Sequence, residues 1–241
     1  MTEIGRIKQI YRYPVKSMAG EELTSAQLGW HGITGDRRYA FMRAGVVNSV
    51  PWLTASKMPD LIRYKAYHSG VNDPSRPSVR VRTPERADLE VESEALRKQV
   101  AASFGAEVTL MRLDNGFFDD FPISLISTTT LRTLESELSC SLDPRRFRPN
   151  LLIESIDDTP LQEERWVGKT IVFGSHASAP SLRVTTQDVR CVIVNLDPET
   201  AKSDPRIFST IARSRNNCAG VYASVLNTGV VSVGDIISLG I

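Results

Sequence analysis

Residues 221–239 read VYASVLNTGVVSVGDIISL, and this stretch decides how the end of the chain folds. It holds three apolar runs, 221–226, 230–233 and 236–239, separated by Asn-Thr-Gly and Gly-Asp. The runs are rich in Val and Ile, which favour strands, and glycine-containing breaks of this length are typical of tight turns. The stretch therefore predicts three consecutive short strands.

The same pattern recurs towards the N-terminus. Short apolar runs bounded by Gly, Pro, Asp or Asn predict further strands at 5–13, 23–28, 38–43, 61–67, 79–83, 108–112, 150–154, 170–173 and 182–186. Strands this numerous and this evenly spaced are typical of small β-barrels.

Three segments carry helix signals instead. The first has apolar residues at every fourth position from Leu96 and ends at Gly105, a residue that suits a C-terminal cap. The second follows Ser127-Thr128-Thr129-Thr130, whose hydroxyls could cap its start, and the third begins at Asp204, which is followed by Pro205. We therefore predict a mainly β fold with α (α+β), with two β-barrel-like domains decorated by about three helices.

A chain of 241 residues is long enough for two small domains, each with its own core. The turn signal Asp114-Asn115-Gly116 favours a division into 1–113 and 114–241. The 29 Lys and Arg nearly balance the 28 Asp and Glu, which argues against nucleic acid and anionic membranes as partners. The N-terminus has no apolar leader and no segment matches a membrane span, so we expect a soluble cytoplasmic protein.

Two loops in the first half carry candidate anion ligands. Lys16 and Ser17 follow the first predicted strand and together suit a phosphate, although such pairs are more often simply solvated. Asp36 precedes Arg37 in a glycine-flanked turn and could orient its guanidinium towards an anion, or form an ordinary surface ion pair with it.

Residues 143–150, DPRRFRPN, place three arginines immediately before the predicted strand 150–154. Like charges this close together are unfavourable unless an anion or several carboxylates balance them. Phosphate, carboxylate and ion-pair interpretations all stay open. Asn150 adds an amide that both donates and accepts hydrogen bonds, as reading the edge of a heterocycle requires.

The three cysteines, Cys140, Cys191 and Cys218, lie far apart and form no CxxC pair, so reduced thiols are the simplest interpretation. Cys191 follows Arg190, and a neighbouring cation favours the thiolate that binds metals or attacks electrophiles. A lone cysteine is nevertheless more often a small buried apolar residue. The three histidines show no metal-ligand spacing.

Taken together, these segments resemble the MOSC family, named for the C-terminal domain of molybdenum cofactor sulfurases, together with its N-terminal β-barrel companion. The resemblance spans residues 4–239, and the branch that contains the mitochondrial amidoxime-reducing components is the most similar. The matching segments are YPVKSMAGEEL (13–23), LGWHGITGDRRYAFM (28–42), FPISLIS (121–127), RFRPNLLIE (146–154), WVGKTIVFG (166–174), RCVIVNLDPET (190–200) and VYASVLNTGVVSVGD (221–235).

The resemblance implies a molybdenum cofactor (molybdopterin) between the two domains, with Cys191 as the thiolate ligand and catalytic residue. It implies no pyridoxal phosphate. The cofactor-binding residues that it implies are Lys16, Ser17, Arg37, Thr54, Ser127, Arg148, Asn150 and Arg190. Asp188 and Glu163 are candidate proton carriers.

The implied activity is that of an oxidoreductase that reduces N-hydroxylated small molecules. Its electrons would come from a separate donor protein of ferredoxin, flavodoxin or cytochrome type, because the sequence contains no cysteine set for an iron–sulfur cluster and no flavin or nicotinamide motif. Two alternatives stay open: a sulfur transferase that carries persulfide on Cys191, and a carrier that binds the cofactor without turnover.

Overall fold

The computed structural model describes residues 2–46, 51–69, 78–176 and 178–240. Its helices are α1 Glu94–Phe104, α2 Thr128–Leu138 and α3 Pro205–Arg215. Its strands are β1 Thr2–Arg12, β2 Glu21–Leu23, β3 Ser25–Gly29, β4 Gly32–Ile33, β5 Tyr39–Arg43, β6 Lys65–Ser69, β7 Ser78–Arg82, β8 Asp88–Glu90, β9 Val108–Arg112, β10 Ile123–Ser127, β11 Leu151–Ser155, β12 Thr170–Phe173, β13 Ser181–Val189, β14 Cys218–Asn227, β15 Gly229–Ser232 and β16 Ile236–Leu239. The predicted fold, mainly β with three α-helices, is confirmed.

Seven strands close into a barrel in the order β1, β11, β10, β14, β13, β12 and β16, and β16 pairs again with β1. A closed ring with an odd number of strands cannot be antiparallel throughout, and the parallel pair here is β10 with β11. Parallel neighbours need a long crossover connection, usually helical. The connection between β10 and β11 contains α2, which supplies the crossover that this parallel pair needs.

Two hydrophobic layers stabilise the barrel. Inside it, residues such as Ile7, Leu125, Leu182 and Val221 form one cluster, while outside it the apolar faces of α2 and α3 pack on the wall. Both layers contact β10: Ile123 and Leu125 belong to the interior cluster, and Ile126 belongs to the outer one. All five residues of β10 are buried as a result, so this strand lacks the alternating pattern of a half-buried strand.

The first half of the chain contributes smaller sheets, β5 with β9 and β6 with β7 and β8, around a second core that includes Phe41, Leu61, Val81 and Leu96. Its first strand does not stay with them. β1 pairs with β11 and β16, and β3 pairs with β15, so the beginning of the chain is part of the sheets of the second half. The division into 1–113 and 114–241 stays a prediction.

The helix signals in the sequence are confirmed at their ends. Ser127, the first of the four predicted hydroxyl residues, caps α2, Asp204 caps α3, and Gly105 ends α1 with φ of 82°. Ser93, which no prediction had named, caps α1. The predicted strand at 61–67 is wrong in its first half, because a 3-10 helix, Pro59–Arg63, precedes β6. Proline fixes φ at a value that suits the first turn of a helix, which explains this start. No helix in the described parts of the chain is long and apolar enough to cross a lipid bilayer.

Gly32→Ala should destabilise the protein more than Gly234→Ala. The two glycines have nearly the same positive φ, 93° and 92°, but a Cβ at Gly32 would lie 2.3 Å from the carbonyl oxygen of Pro122, whereas a Cβ at Gly234 meets open space. The strained backbone alone should lower the free energy of unfolding by about 1 kcal/mol in both variants, and the clash should add about 1–3 kcal/mol at Gly32. Chemical denaturation measures the difference, and equal losses would contradict the close packing at Pro122.

Candidate functional site

A cavity of about 760 Å³ lies between the first half of the chain and the barrel. Seven of the sequence-predicted site residues line it, although they lie far apart in the sequence. They are Cys191 together with Lys16, Ser17, Arg37, Thr54, Arg148 and Arg190. Another cavity of about 770 Å³, around Tyr11, Arg82 and Arg145, shares only Arg148 with this set and contains no cysteine, so the first cavity is the candidate site.

The Arg37 guanidinium is the organising group of the cavity wall. It pairs with Asp36, the residue before it in the same turn, and with Asp119, at 2.5 Å between Nε and Oδ2. It also donates to Asn150 Oδ1 and to the Arg148 carbonyl, both at 3.0 Å. Burial lowers the pKa of Arg37, but the two carboxylates outweigh burial and raise it. The group is therefore a fixed cation that joins the first half of the chain to the barrel.

Three of the cavity residues have a left-handed backbone: Ser17, Arg37 and Arg148, with φ of 64°, 48° and 50°. This conformation is uncommon for residues other than glycine and costs on the order of 1 kcal/mol at each position. Strain of this kind persists only where the surrounding contacts hold it, and it clusters at functional sites. Its concentration at one cavity supports a functional role for this wall.

Arg148 is a half-buried cation without its own carboxylate. Its guanidinium lies 4.3 Å from the centre of the Tyr13 ring, and Nη1 donates to the Met18 carbonyl at 2.6 Å. No ion pair to Arg148 occurs among the residues that the structure describes. Burial lowers its pKa. Buried charges are normally paired, so this guanidinium suits an anionic ligand.

Lys16 lies beside the same wall, where its ammonium donates to the Phe118 carbonyl at 2.8 Å. Burial lowers the pKa of Lys16, and the nearby Asp119 opposes that effect. Burial also raises the pKa of Asp119, but Arg37 and Lys16 outweigh it, so the pKa of this carboxyl is below its ordinary value. Asp119 is therefore ionised at neutral pH and balances part of the positive charge.

The thiol of Cys191 is exposed and begins a 3-10 helix, Val192–Asn195, directly after β13. Its apolar neighbours in sequence are also exposed, Val189 by 64% and Val192 by 48%. An exposed cysteine between exposed valines is accessible to a ligand in the cavity. This placement differs from that of Cys218, which is buried in β14.

Arg190 is directed into the protein. It pairs with Asp188 at 2.8 Å and donates to the carbonyls of Ala219 and Phe147 at 2.6 and 2.7 Å. A Cβ at Gly220 would lie 2.6 Å from a barrel carbonyl and 2.9 Å from Arg190 Nη2, which explains the glycine there. Arg190 therefore fixes the end of β13, from which the cysteine follows.

Asp188 is a buried carboxyl on the same cavity wall. Its Oδ2 accepts a hydrogen bond from Ser124 Oγ at 2.7 Å. Burial raises the pKa of Asp188 to about 6, although Arg190 and Ser124 act in the opposite direction. Asp188 and Asp119 thus line one cavity with pKa values shifted in opposite directions.

The remaining wall is largely apolar. Trp52 and Phe118 form an edge-to-face pair with ring centres 4.8 Å apart, and Met111 lies beside them in the cavity lining. Thr54 lines the cavity with its hydroxyl 2.8 Å from that of Ser56. The cavity therefore offers apolar surface to a ligand in addition to its cations.

Two predicted site residues lie outside the cavity lining. Ser127 is fully buried, where it caps α2 and donates to Glu163, so Glu163 also lies away from the cavity. Asn150 is also fully buried, and its side chain holds Arg37 and the backbone of Ser124. The structure thus gives Ser127 a role in the helix and Asn150 a role in positioning Arg37.

Sequence reasoning missed Asp119, Ser124 and Tyr222, all of which line the cavity. Asp119 had a weak signal, since an acidic pair follows two phenylalanines between the two basic segments. Ser124 and Tyr222 lie on neighbouring barrel strands in register, and nothing local in the sequence marks them.

The raised pKa of Asp188 predicts how stability depends on pH. Between its ordinary value near pH 4 and about pH 6 the folded state binds more protons than the unfolded state, so the free energy of unfolding should fall as pH rises through this window. The free energy of unfolding should fall by about 3 kcal/mol across this window. Asp188→Asn should remove this pH-dependent part, while the exposed carboxylate variant Asp60→Asn should keep it. Urea unfolding from pH 4 to 7.5 tests this, and parallel curves for wild type and Asp188→Asn would contradict it.

Residues 4–118 match the model of the MOSC N-terminal beta barrel domain, and residues 112–238 match that of the MOSC domain. A comparison with curated proteins found no match.

Among solved structures, the YUAD protein from Bacillus subtilis aligns over 98% of this chain and 95% of its own, with 15% identity and a TM-score of 0.53. YiiM from Geobacillus stearothermophilus aligns over 51% of this chain and 55% of its own, with 16% identity and a TM-score of 0.39. The first similarity supports the fold alone, and the second is too low to support an argument. On the two family models, which together span residues 4–238, the chain belongs to the MOSC family, whose domains are associated with the molybdenum cofactor.

Proposed function

We propose that this chain binds the molybdenum cofactor in the cavity and reduces N-hydroxylated small molecules. One observation carries the proposal: a single cavity contains both an exposed thiol, Cys191, and the half-buried guanidinium of Arg148, which has no carboxylate partner among the described residues. The cavity volume of about 760 Å³ falls within the range of cofactor sites.

The cations fit the phosphate of the cofactor. Arg148, Lys16 and Ser17 all line the cavity, and Ser17 directly follows Lys16 in the sequence. Charge-assisted hydrogen bonds from such groups to phosphate are stronger than neutral ones. Arg37 is already bonded to two carboxylates and two oxygens, so in this proposal it holds Arg148 in place.

The thiol fits the metal. Thiolates are soft ligands and suit a metal that is already bound by sulfur. In the described part of the chain, no group of three or more His, Cys, Asp or Glu residues could hold a metal ion. We therefore assign Cys191 as the single protein ligand to a metal that arrives with its cofactor.

When bound, the cofactor supplies two-electron oxygen-transfer chemistry, and the protein positions the reactants. In the overall reaction the N–O bond of the substrate breaks, an N–H bond forms, and the oxygen leaves as water, which consumes two electrons and two protons. A separate donor protein of ferredoxin, flavodoxin or cytochrome type supplies the electrons. The apolar wall around Trp52 and Met111 suits the carbon skeleton of the substrate. A reducing cytoplasm would keep the three free cysteines in the thiol form.

The exposure of Cys191 also suits the second candidate, a sulfur transferase that carries persulfide on this cysteine. Two assays distinguish the reductase from the sulfur transferase. Cyanide-releasable sulfur on metal-free protein supports transfer, whereas amidoxime reduction by molybdenum-loaded protein with an artificial electron donor supports the reductase. Bound cofactor without turnover would indicate a carrier.

Cys191→Ser should abolish amidoxime reduction per bound molybdenum. A neutral hydroxyl is a poor ligand for this metal, while the change in side-chain volume is small and the fold should survive. Cys140→Ser is the matched control, because Cys140 packs beside the helix layer, away from the cavity lining. Protein from a host that synthesises the cofactor is assayed for metal content and turnover. Wild-type turnover per molybdenum in Cys191→Ser would contradict the assignment.

Lys16→Ala should weaken retention of the cofactor without unfolding the protein. One charge-assisted hydrogen bond contributes about 1.5–3 kcal/mol, which corresponds to at least a tenfold increase in the dissociation constant. Lys65→Ala is the control, since Lys65 is an exposed lysine outside this cavity. Fluorescence of the oxidised pterin after gel filtration measures retention. Equal retention in the two variants would exclude Lys16 from the phosphate site.

A further inference from the structure

The proposed reaction consumes two protons, and the cavity contains two carboxyls whose pKa values shift in opposite directions: the half-buried Asp119 and the fully buried Asp188. Asp119 pairs with Arg37 and has a lowered pKa, so at neutral pH it has no proton to donate. Asp188 lies on β13, three residues before Cys191, and lines the same cavity while being 1% exposed. Of these two groups, Asp188 is the one suited to hold a proton.

The groups that face Asp188 come from each element packed against it. Arg190, which directly follows β13, pairs with Asp188, and Ser124 on β10 donates a hydrogen bond to it. The charges of Tyr222 on β14 and of Asp119 also affect its pKa. The Arg190 guanidinium also donates hydrogen bonds to the carbonyls of Ala219 and Phe147, so Asp188 is only one of its three partners. Burial prevails over these partners and raises the pKa of Asp188 to about 6.

We propose that Asp188 supplies one of the two protons that the substrate takes up when its N–O bond breaks; this inference rests on the proposed function. The two electrons come from the donor protein. One proton completes the water that leaves and the other completes the new N–H bond. Asp188 supplies one of them as a carboxylic acid, becomes a carboxylate beside Arg190, and is reprotonated from solvent. General acids of this kind work best when their pKa lies near the operating pH.

The first test needs no cofactor. Carboxyl carbon NMR of the metal-free protein, labelled at aspartate, should show a resonance that titrates near pH 6 and is missing in Asp188→Asn. An Asp188 resonance that titrates in the ordinary range for aspartate overturns the proposal.

The second test uses the molybdenum-loaded protein with a chemical electron donor and an aromatic amidoxime. Wild-type turnover should fall as pH rises above about 6, because the acid loses its proton. Asp188→Asn should lose about 100-fold in turnover at pH 6, and its turnover should no longer fall as pH rises. Asp188→Glu should regain both the turnover and its fall with rising pH. Asp158→Asn, an exposed carboxylate, is the control and should match wild type.

These experiments test the proton role of Asp188 separately from the reductase function. If Asp188→Asn turns over with the wild-type pH profile, the proton role is overturned and the reductase function stands. If wild-type protein has no turnover at any pH, the proposed function and this inference fall together. If Asp188→Asn does not fold, the NMR titration of the wild type and the profile of Asp188→Glu decide, and a profile in Asp188→Glu without an alkaline fall overturns the role.

Discussion

The candidate site depends on the buried Arg37 guanidinium. It lies in the first half of the chain, and its partners Asp119, Asn150 and the Arg148 carbonyl belong to the second half. Burying a cation is unfavourable unless carboxylates and hydrogen bonds compensate it, and here both are present. Because Arg37 holds the Arg148 backbone by its carbonyl, it also fixes where the Arg148 side chain begins. That second guanidinium then lies over an aromatic ring with no carboxylate of its own.

Burial sets different charge states for groups that share one cavity. Asp119 is half-buried and Asp188 is fully buried; Arg37 and Lys16 lower the pKa of Asp119, whereas burial raises that of Asp188. The chain as a whole has a formal charge of +1, so this arrangement is local. A ligand with an anionic group and a metal would therefore meet cations on one set of residues and a thiol on another.

The sequence predicted what depends on local chemistry. The helix starts at Ser127 and Asp204 follow from side-chain oxygens within a few residues, and β12 and β16 follow from short apolar runs between turns. β10 was missed because packing on both faces removes the alternation by which a strand is recognised. Closure of the barrel through β1 depends on pairing with β11, across about 140 residues, which no local pattern encodes.

The same limit applies to the site. The motifs identified Cys191, Lys16, Arg37 and Arg148, which the cavity brings together. The prediction for Arg190 rested on its position next to Cys191, where a cation would favour the thiolate. In the structure the Arg190 side chain instead contacts Asp188 and two backbone carbonyls. Asp119 was missed because its role depends on Arg37, 82 positions earlier in the chain.

In the proposed function, the Cys191 sulfur binds the metal of a cofactor held in this cavity. X-ray absorption at the molybdenum edge, on loaded protein, counts the sulfur atoms around the metal directly. The account predicts one more sulfur neighbour in the wild type than in Cys191→Ser, and the same number in Cys140→Ser as in the wild type. Equal sulfur coordination in the wild type and Cys191→Ser would contradict it.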